Sequence, residues 1–243
     1  MNIDNTCREG RLNLSGLSLS VIVPVYNEQA FIKTVLERVK GCGTRCQIVV
    51  VDDGSTDGTR EILRRMEGIT LVEHARNMGK GAAVRTALAH VTGDVIIIQD
   101  ADLEYDPRDY PKLLEPIAEG RADVVYGTRF GGSGPHRVLF FWHMLGNRLL
   151  TFLSNMLTNL NLTDMETGYK AFTREVAKRL VIHEERFGFE PEFTAQVARM
   201  GGRIFEVGIS YNGRTYAEGK KIRWMDGLSA IRCIVVYNLL KRW

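Results

Sequence analysis

Four short runs rich in Val and Ile recur between Leu19 and Gln99, and stretches with apolar residues at helical spacing separate them. Leu19-Ser20-Val21-Ile22-Val23-Pro24-Val25 reads as a strand, followed by Phe31, Ile32, Val35, Leu36 and Val39 at the spacing of a helix face. Gln47 to Val51 predicts a second strand with a helix from about Thr59 to Met66. Ile69 to Glu73 predicts a third strand with a helix from Gly81 to His90, and Val95 to Gln99 a fourth strand. Strands that are apolar at nearly every position are buried on both faces, which is the condition of parallel strands sandwiched between helices. The expected fold class is therefore α/β, an open, mostly parallel Rossmann-like sheet with helices on both faces.

In such sheets ligands bind beyond the carboxyl ends of the strands. Every polar cluster of interest falls at such an end. Pro24-Val25-Tyr26-Asn27-Glu28 closes the first strand, Asp52-Asp53-Gly54-Ser55 follows the second and Arg76-Asn77-Met78-Gly79-Lys80-Gly81 the third. Asp100-Ala101-Asp102 follows the fourth, and Gly127-Thr128-Arg129 follows a fifth strand at Val124-Val125-Tyr126. In Ile96-Ile97-Ile98-Gln99-Asp100-Ala101-Asp102-Leu103-Glu104 a buried strand runs straight into two carboxylates one small residue apart. Hard cations such as Mg²⁺ and Mn²⁺ take oxygen ligands, and Mg²⁺ is usually held by one or two carboxylates together with substrate phosphates. A nucleoside diphosphate is thus the first ligand to consider. A Rossmann dehydrogenase would carry G-x-G-x-x-G directly after its first strand, and a P-loop enzyme the Walker lysine loop; this chain has neither.

Composition narrows the class further. The formal net charge of +3 over 243 residues argues against a general nucleic-acid binder, but it is unevenly spread. From Arg214 onward the chain carries +5, and the preceding part about −2. Cys7, Cys42, Cys46 and Cys233 are too scattered for a disulfide framework, and the polar, acid-bearing N-terminus does not resemble a signal peptide, so a reducing, cytoplasmic setting is expected. No stretch supplies the roughly 20 apolar residues of a spanning helix, so membrane contact is expected to be peripheral.

Taken together these motifs resemble the family-2 glycosyltransferases of the GT-A fold, and within them the dolichol-phosphate mannose synthase and polyprenyl-phosphate glycosyltransferase branch. The matching elements are Val23-Pro24-Val25-Tyr26-Asn27-Glu28, Val51 to Thr59, Arg76 to Gly81, Asp100-Ala101-Asp102-Leu103 and Gly127-Thr128-Arg129-Phe130, with a looser continuation through Thr163 to Lys170, Arg214 and Lys220. The resemblance implies that Pro24, Tyr26, Glu28 and Asp53 line the nucleoside pocket, with Asp53 accepting from a base N–H. Lys80 is placed with them on the donor side. Asp100 and Asp102 become the motif for Mg²⁺ or Mn²⁺, joined by Glu104, where the branch usually has glutamine. Arg129 and Arg214 match arginines that hold phosphate groups, and Lys220 lies near the end of the same acceptor loop. A further branch arginine has Arg148 as its nearest candidate. The implied reaction is inverting transfer of a hexose from a UDP- or GDP-sugar to a polyprenyl phosphate. Transfer to a sugar or other hydroxyl in surface-glycan synthesis is the alternative, with Asp164 or Glu166 as general base. A silent nucleotide-sugar binding protein and a sugar nucleotidyltransferase are further alternatives, and fit the motif order less well.

The domain plan that follows is a loosely ordered leader over residues 1–16, a catalytic domain over 17–224 and an amphipathic basic helix over 225–243. Residues 137–162, rich in Phe, Trp and Leu, read either as core helices or as interfacial helices lying on the inner face of the cell membrane. The tail, with Ile231, Ile234, Val235, Leu239 and Leu240 on one side and Arg232, Lys241 and Arg242 beside them, reads as a membrane contact or a homo-oligomer contact.

Overall fold

The Val/Ile runs form the centre of one seven-stranded sheet, in the order β3-β2-β1-β4-β6-β5-β7. The computed structural model describes residues 16–131, 137–138, 140–186, 188–215 and 224–241. The expected leader lies, apart from Gly16, outside the described residues, as does Lys220. Strands β1 (Leu19–Val25), β2 (Cys46–Asp52), β3 (Thr70–Glu73) and β4 (Val95–Ile98) are parallel neighbours, and helices α1 (Ile32–Lys40), α2 (Thr59–Arg64) and α3 (Lys80–Leu88) connect them. Val21, Val23 and Val25 of β1 face one core cluster with Val35, Leu36 and Val39 of α1. Ile22, Val49 and Val51 face the other with Ala83, Val84 and Ala87 of α3. The period-2 alternation therefore splits apolar residues between two filled layers, which is why no polar face shows in the sequence.

After β4 comes helix α4 (Tyr110–Ala118), and then β5 (Val124–Thr128) does not pair with β4. Strand β6 (Lys170–Thr173) inserts between them, antiparallel to both, and β7 (Ile204–Gly208) closes the edge parallel to β5. This insertion brings the end of the long segment between β5 and β6 against the residues that follow β4, where the Gly168 N–H donates to the Tyr105 hydroxyl at 2.9 Å. That segment holds α5 (Phe141–Thr158), one helix where the sequence allowed a pair. Helices α6 (Arg174–Arg179) and α7 (Phe189–Arg199) follow β6.

Helix α8 (Trp224–Val235), continued by a π-helical turn at Val236–Leu240, docks along α7. Ala230, Cys233, Ile234 and Tyr237 are buried there, and Arg232 and the Tyr237 hydroxyl both bond to Glu184. Half of the tail's apolar face is thus core. The other half, Leu228, Leu239 and Leu240, stays exposed beside a stripe along α5 made of Phe141, Trp142, Leu145, Leu149, Phe152 and Met156. No described helix is long and apolar enough to cross a membrane.

Candidate active site

The loops after β1 and β2 are stitched together before any ligand arrives. The Asn27 amide N–H donates to Ser55 Oγ at 3.0 Å, the Thr56 N–H to Asn27 Oδ1 at 2.8 Å and the Glu28 N–H to Thr59 Oγ1 at 2.9 Å. Asp53 ties in the third loop. Its Oδ1 accepts from Met78 N–H at 2.9 Å and lies 2.7 Å from His74 Nδ1, and its Oδ2 accepts from Gly79 N–H at 2.7 Å. The carboxylate expected to read a base therefore orders the loop Arg76–Gly81, with Gly79 at φ 100°, a conformation glycine adopts without strain. Asp52 bonds the Arg60 guanidinium at 2.8 Å and fixes the first turn of α2.

The carboxylates after β4 stand in a web of ion pairs. Lys80, at the start of α3, bridges Asp100 at 2.8 Å and Glu190 at 2.9 Å. Burial by itself would lower the Lys80 ammonium, but Asp100 and Glu190 outweigh it and hold it well above the ordinary lysine range. Arg214 reaches in from the segment after β7, bonding Asp102 at 2.8 Å and the two oxygens of Glu28 at 3.2 and 3.3 Å. Gly168 packs against Asp100 so closely that an added Cβ would stand 2.1 Å from Asp100 Oδ2.

Glu104 is placed differently from Asp100 and Asp102. It accepts from the Tyr211 hydroxyl and from the Arg214 backbone N–H, each at 2.8 Å, and so clamps the segment 211–214. Among the described residues no group of three acidic, His or Cys side chains converges in a metal-holding arrangement, so the set Asp100, Asp102 and Glu104 is not assembled as one ligand sphere. The aspartate pair nonetheless fits a divalent cation. Burial first, then the charges of Asp100 and Glu104, push the Asp102 carboxyl up to about 7, an excess of negative field that a cation relieves.

Across the cleft Arg129 grips Asp164 with both arms of its fork, Nε to Oδ2 at 2.6 Å and Nη2 to Oδ1 at 2.7 Å. Arg129 N–H and Asn147 Nδ2 donate to the same carboxylate, each at 3.1 Å. Burial would raise Asp164, but Arg129 outweighs it and holds the carboxyl below the usual range. On α5 it is Asn147, not the neighbouring exposed Arg148, that reaches this pair.

Two groups of this site escaped sequence reading, and a third was left between two roles. Gln99 Oε1 accepts from the hydroxyls of Tyr110 at 2.9 Å and Tyr169 at 2.6 Å, bracing the strand end that carries the aspartates. Lys170 is fully buried in β6, where its ammonium donates to the carbonyls of Met165 and Thr167 and lies 5.1 Å from the centroid of the Tyr126 ring. Glu190, which the sequence allows either as an acid in the first turn of a helix or as an acceptor contact, is the second anchor of Lys80.

A family model for glycosyl transferase family 2 matches residues 20–181, which contain all five strand-end motifs. The chain belongs to that family. It is a glycosyltransferase of the GT-A fold, as the motifs implied. An uncharacterized protein of Methanocaldococcus jannaschii is 31% identical over 90% of this chain and 91% of its own length. Glycosyltransferase AglJ of Haloferax volcanii is 31% identical over 81% of this chain. The undecaprenyl-phosphate 4-deoxy-4-formamido-L-arabinose transferase of Edwardsiella ictaluri is 31% identical over 83% of it. The matched regions cover 64% and 62% of those last two proteins. The fold is shared with glucosyl-3-phosphoglycerate synthase from Mycobacterium tuberculosis in complex with Mn²⁺ and UDP, at a TM-score of 0.72 and 22% identity, over 93% of this chain and 80% of that one.

Proposed function

We propose that this glycosyltransferase moves a hexose, with inversion, from a nucleoside diphosphate sugar to a polyprenyl phosphate at a membrane surface. The observation that carries the choice of acceptor is the state of Asp164. A hydroxyl acceptor needs a general base within reach; of the two candidates, Asp164 is fully buried, saturated by Arg129 and Asn147 and held below the usual carboxylate range, and burial pushes the Glu166 carboxyl up to about 8, which keeps it protonated at neutral pH. A phosphate monoester needs none, because its second pKa, by analogy with phosphorylated side chains, is about 6. It arrives as a nucleophile and requires positioning.

Arg129 and Arg214 supply that positioning, since guanidinium forks hold phosphate bidentately. Asp164 occupies Nε and Nη2 of Arg129 and so aims its remaining Nη1 edge. Arg214 sits on Asp102 and Glu28 and exchanges these partners for phosphate when substrates enter. Pro24, Tyr26 and Glu28 line the nucleoside side, and Asp53 shapes it through the Arg76–Gly81 loop. Asp100 and Asp102 would hold Mg²⁺ or Mn²⁺, which would supply Lewis-acid stabilisation of the charge on the departing nucleoside diphosphate. The relatives named for undecaprenyl and dodecaprenyl phosphate, the latter a galacturonate synthase of Rhizobium johnstonii at 26% identity, support a lipid-phosphate acceptor.

The test offers purified protein UDP- and GDP-hexoses with Mn²⁺ and a short polyprenyl phosphate, followed by mass spectrometry of the lipid phase. A hexosyl phosphate lipid is the expected product. Transfer only to sugar hydroxyls in a parallel acceptor series would overturn the reading.

Two further outcomes are expected. Gly168→Ala should displace the Asp100 carboxylate and slow Mn²⁺-dependent transfer by roughly 10- to 100-fold, read from initial rates across a Mn²⁺ series. The stripe on α5, with Trp142 76% and Phe152 62% exposed, is the surface proposed to lie on lipid. Trp142→Glu with Phe152→Glu should abolish sedimentation with anionic vesicles while leaving the melting temperature in place, since neither side chain is buried. Undiminished sedimentation would assign the stripe to contact between copies of the chain.

A further inference from the structure

Two carboxylate oxygens beside Asp100 are buried with no hydrogen-bond partner, Glu190 Oε2 and Glu166 Oε1. A buried acceptor left unsatisfied is costly, the more so when charged, so its presence in a site calls for a partner. Glu190 is only 4% exposed. Its other oxygen holds Lys80, which in turn holds Asp100. Its neighbour in the same helical turn behaves differently: Glu192 is consumed by the backbone N–H groups of His183 and Glu184 and by the His183 ring. Glu166 lies two residues before Gly168, the residue pressed against Asp100, and close enough to Glu190 for their charges to interact. Burial first, and then the nearby charge of Glu190, raise the Glu166 carboxyl to about 8. Lys170 leaves the two oxygens unmet, because its ammonium donates to the carbonyls of Met165 and Thr167.

The two acids thus lie beside the carboxylate expected at the diphosphate end of a donor. Resting on the donor reading above, we propose that Glu166 and Glu190 form the floor of the donor-sugar subsite, meeting a sugar hydroxyl or N–H with their unpaired oxygens and selecting uncharged hexoses over uronic acids. A hydroxyl donates to one carboxyl and accepts from the other. A uronate carboxylate meets a like charge with its own desolvation unrelieved.

Calorimetric titration in the presence of Mn²⁺ tests this with UDP, UDP-glucose and UDP-glucuronate, and in parallel with GDP and GDP-mannose. The wild-type protein should bind the hexose nucleotide about tenfold or more tighter than the uronate nucleotide, the scale of one hydrogen bond to a charged group. Glu166→Gln should bring that preference close to unity while leaving affinity for the bare nucleoside diphosphate unchanged; Glu190→Gln should also remove the preference, and, because Glu190 anchors Lys80 on Asp100, weaken nucleoside diphosphate binding as well. The wild-type series stands without the variants should either fail to fold. Absence of the preference in wild type, or its persistence in both folded variants, overturns the subsite and assigns the two oxygens to trapped water only. Failure of the wild type to bind either nucleoside diphosphate overturns the donor reading itself, and the subsite with it.

Discussion

Asp102→Ala is expected to reduce hexose transfer by about 10²–10³-fold, the range seen when one electrostatic contact to a developing charge is removed. The fold should not suffer. Asp102 is a half-buried carboxyl crowded by Asp100 and Glu104, a repulsion that Arg214 and the Glu104 backbone N–H only partly offset. Removing it relieves like-charge strain, so the melting temperature should hold or rise, the pattern of a residue kept for activity at the expense of stability. Glu104→Gln should behave in the opposite sense. Glutamine keeps one oxygen to accept from the Arg214 N–H, and its NH2 can donate to the Tyr211 hydroxyl oxygen, which turns from donor to acceptor, so most activity should remain. Initial rates and melting curves on the same preparations decide the matter, and wild-type turnover by Asp102→Ala would remove the aspartate pair from the donor site.

The second large effect is expected at Arg129. Arg129→Ala removes a phosphate-holding guanidinium and leaves Asp164 as a fully buried carboxylate without its counter-ion. Breaking a buried ion pair on one side typically costs about 3–5 kcal/mol, so this variant should lose transfer and much of its stability together. The double variant Arg129→Leu with Asp164→Leu should recover most of the stability, because no uncompensated charge remains, and none of the activity. Asp164→Asn separates the acceptor classes. It keeps hydrogen bonds to Arg129 and Asn147, so phosphate acceptors should still be glycosylated at a substantial rate, whereas a general base at this position would make the same change severe. Denaturant curves beside each assay distinguish a lost contact from a lost fold.

The parallel half of the sheet was legible because burial on both faces leaves a local signature, the near-continuous Val/Ile strand, and because a strand's end is marked by the first polar residues after it. The motif after each of β1 to β4 could be placed on one edge from that signature alone. Strand β6 was not legible. It is four residues, Lys170-Ala171-Phe172-Thr173, opens on a lysine and lies antiparallel within a mostly parallel sheet. Its lysine stays buried only because carbonyls from the preceding loop and the Tyr126 ring surround it.

Local sequence also identified the charged side chains without their partners. Asp53 was expected on a ligand and is found ordering the loop at Met78 and Gly79; Glu104 was expected on a cation and is found clamping Tyr211 and Arg214. Period and composition, which depend on neighbours a few positions apart, determined the fold class, the strand ends and the acidic pair Asp100 and Asp102. Tertiary structure decided which charges meet: Lys80 with Glu190, Arg129 with Asp164, Arg214 with Glu28 and Asp102. Those pairs join elements far apart in the chain, within a sheet whose order places β6 between β4 and β5, and no local pattern of residues encodes that order.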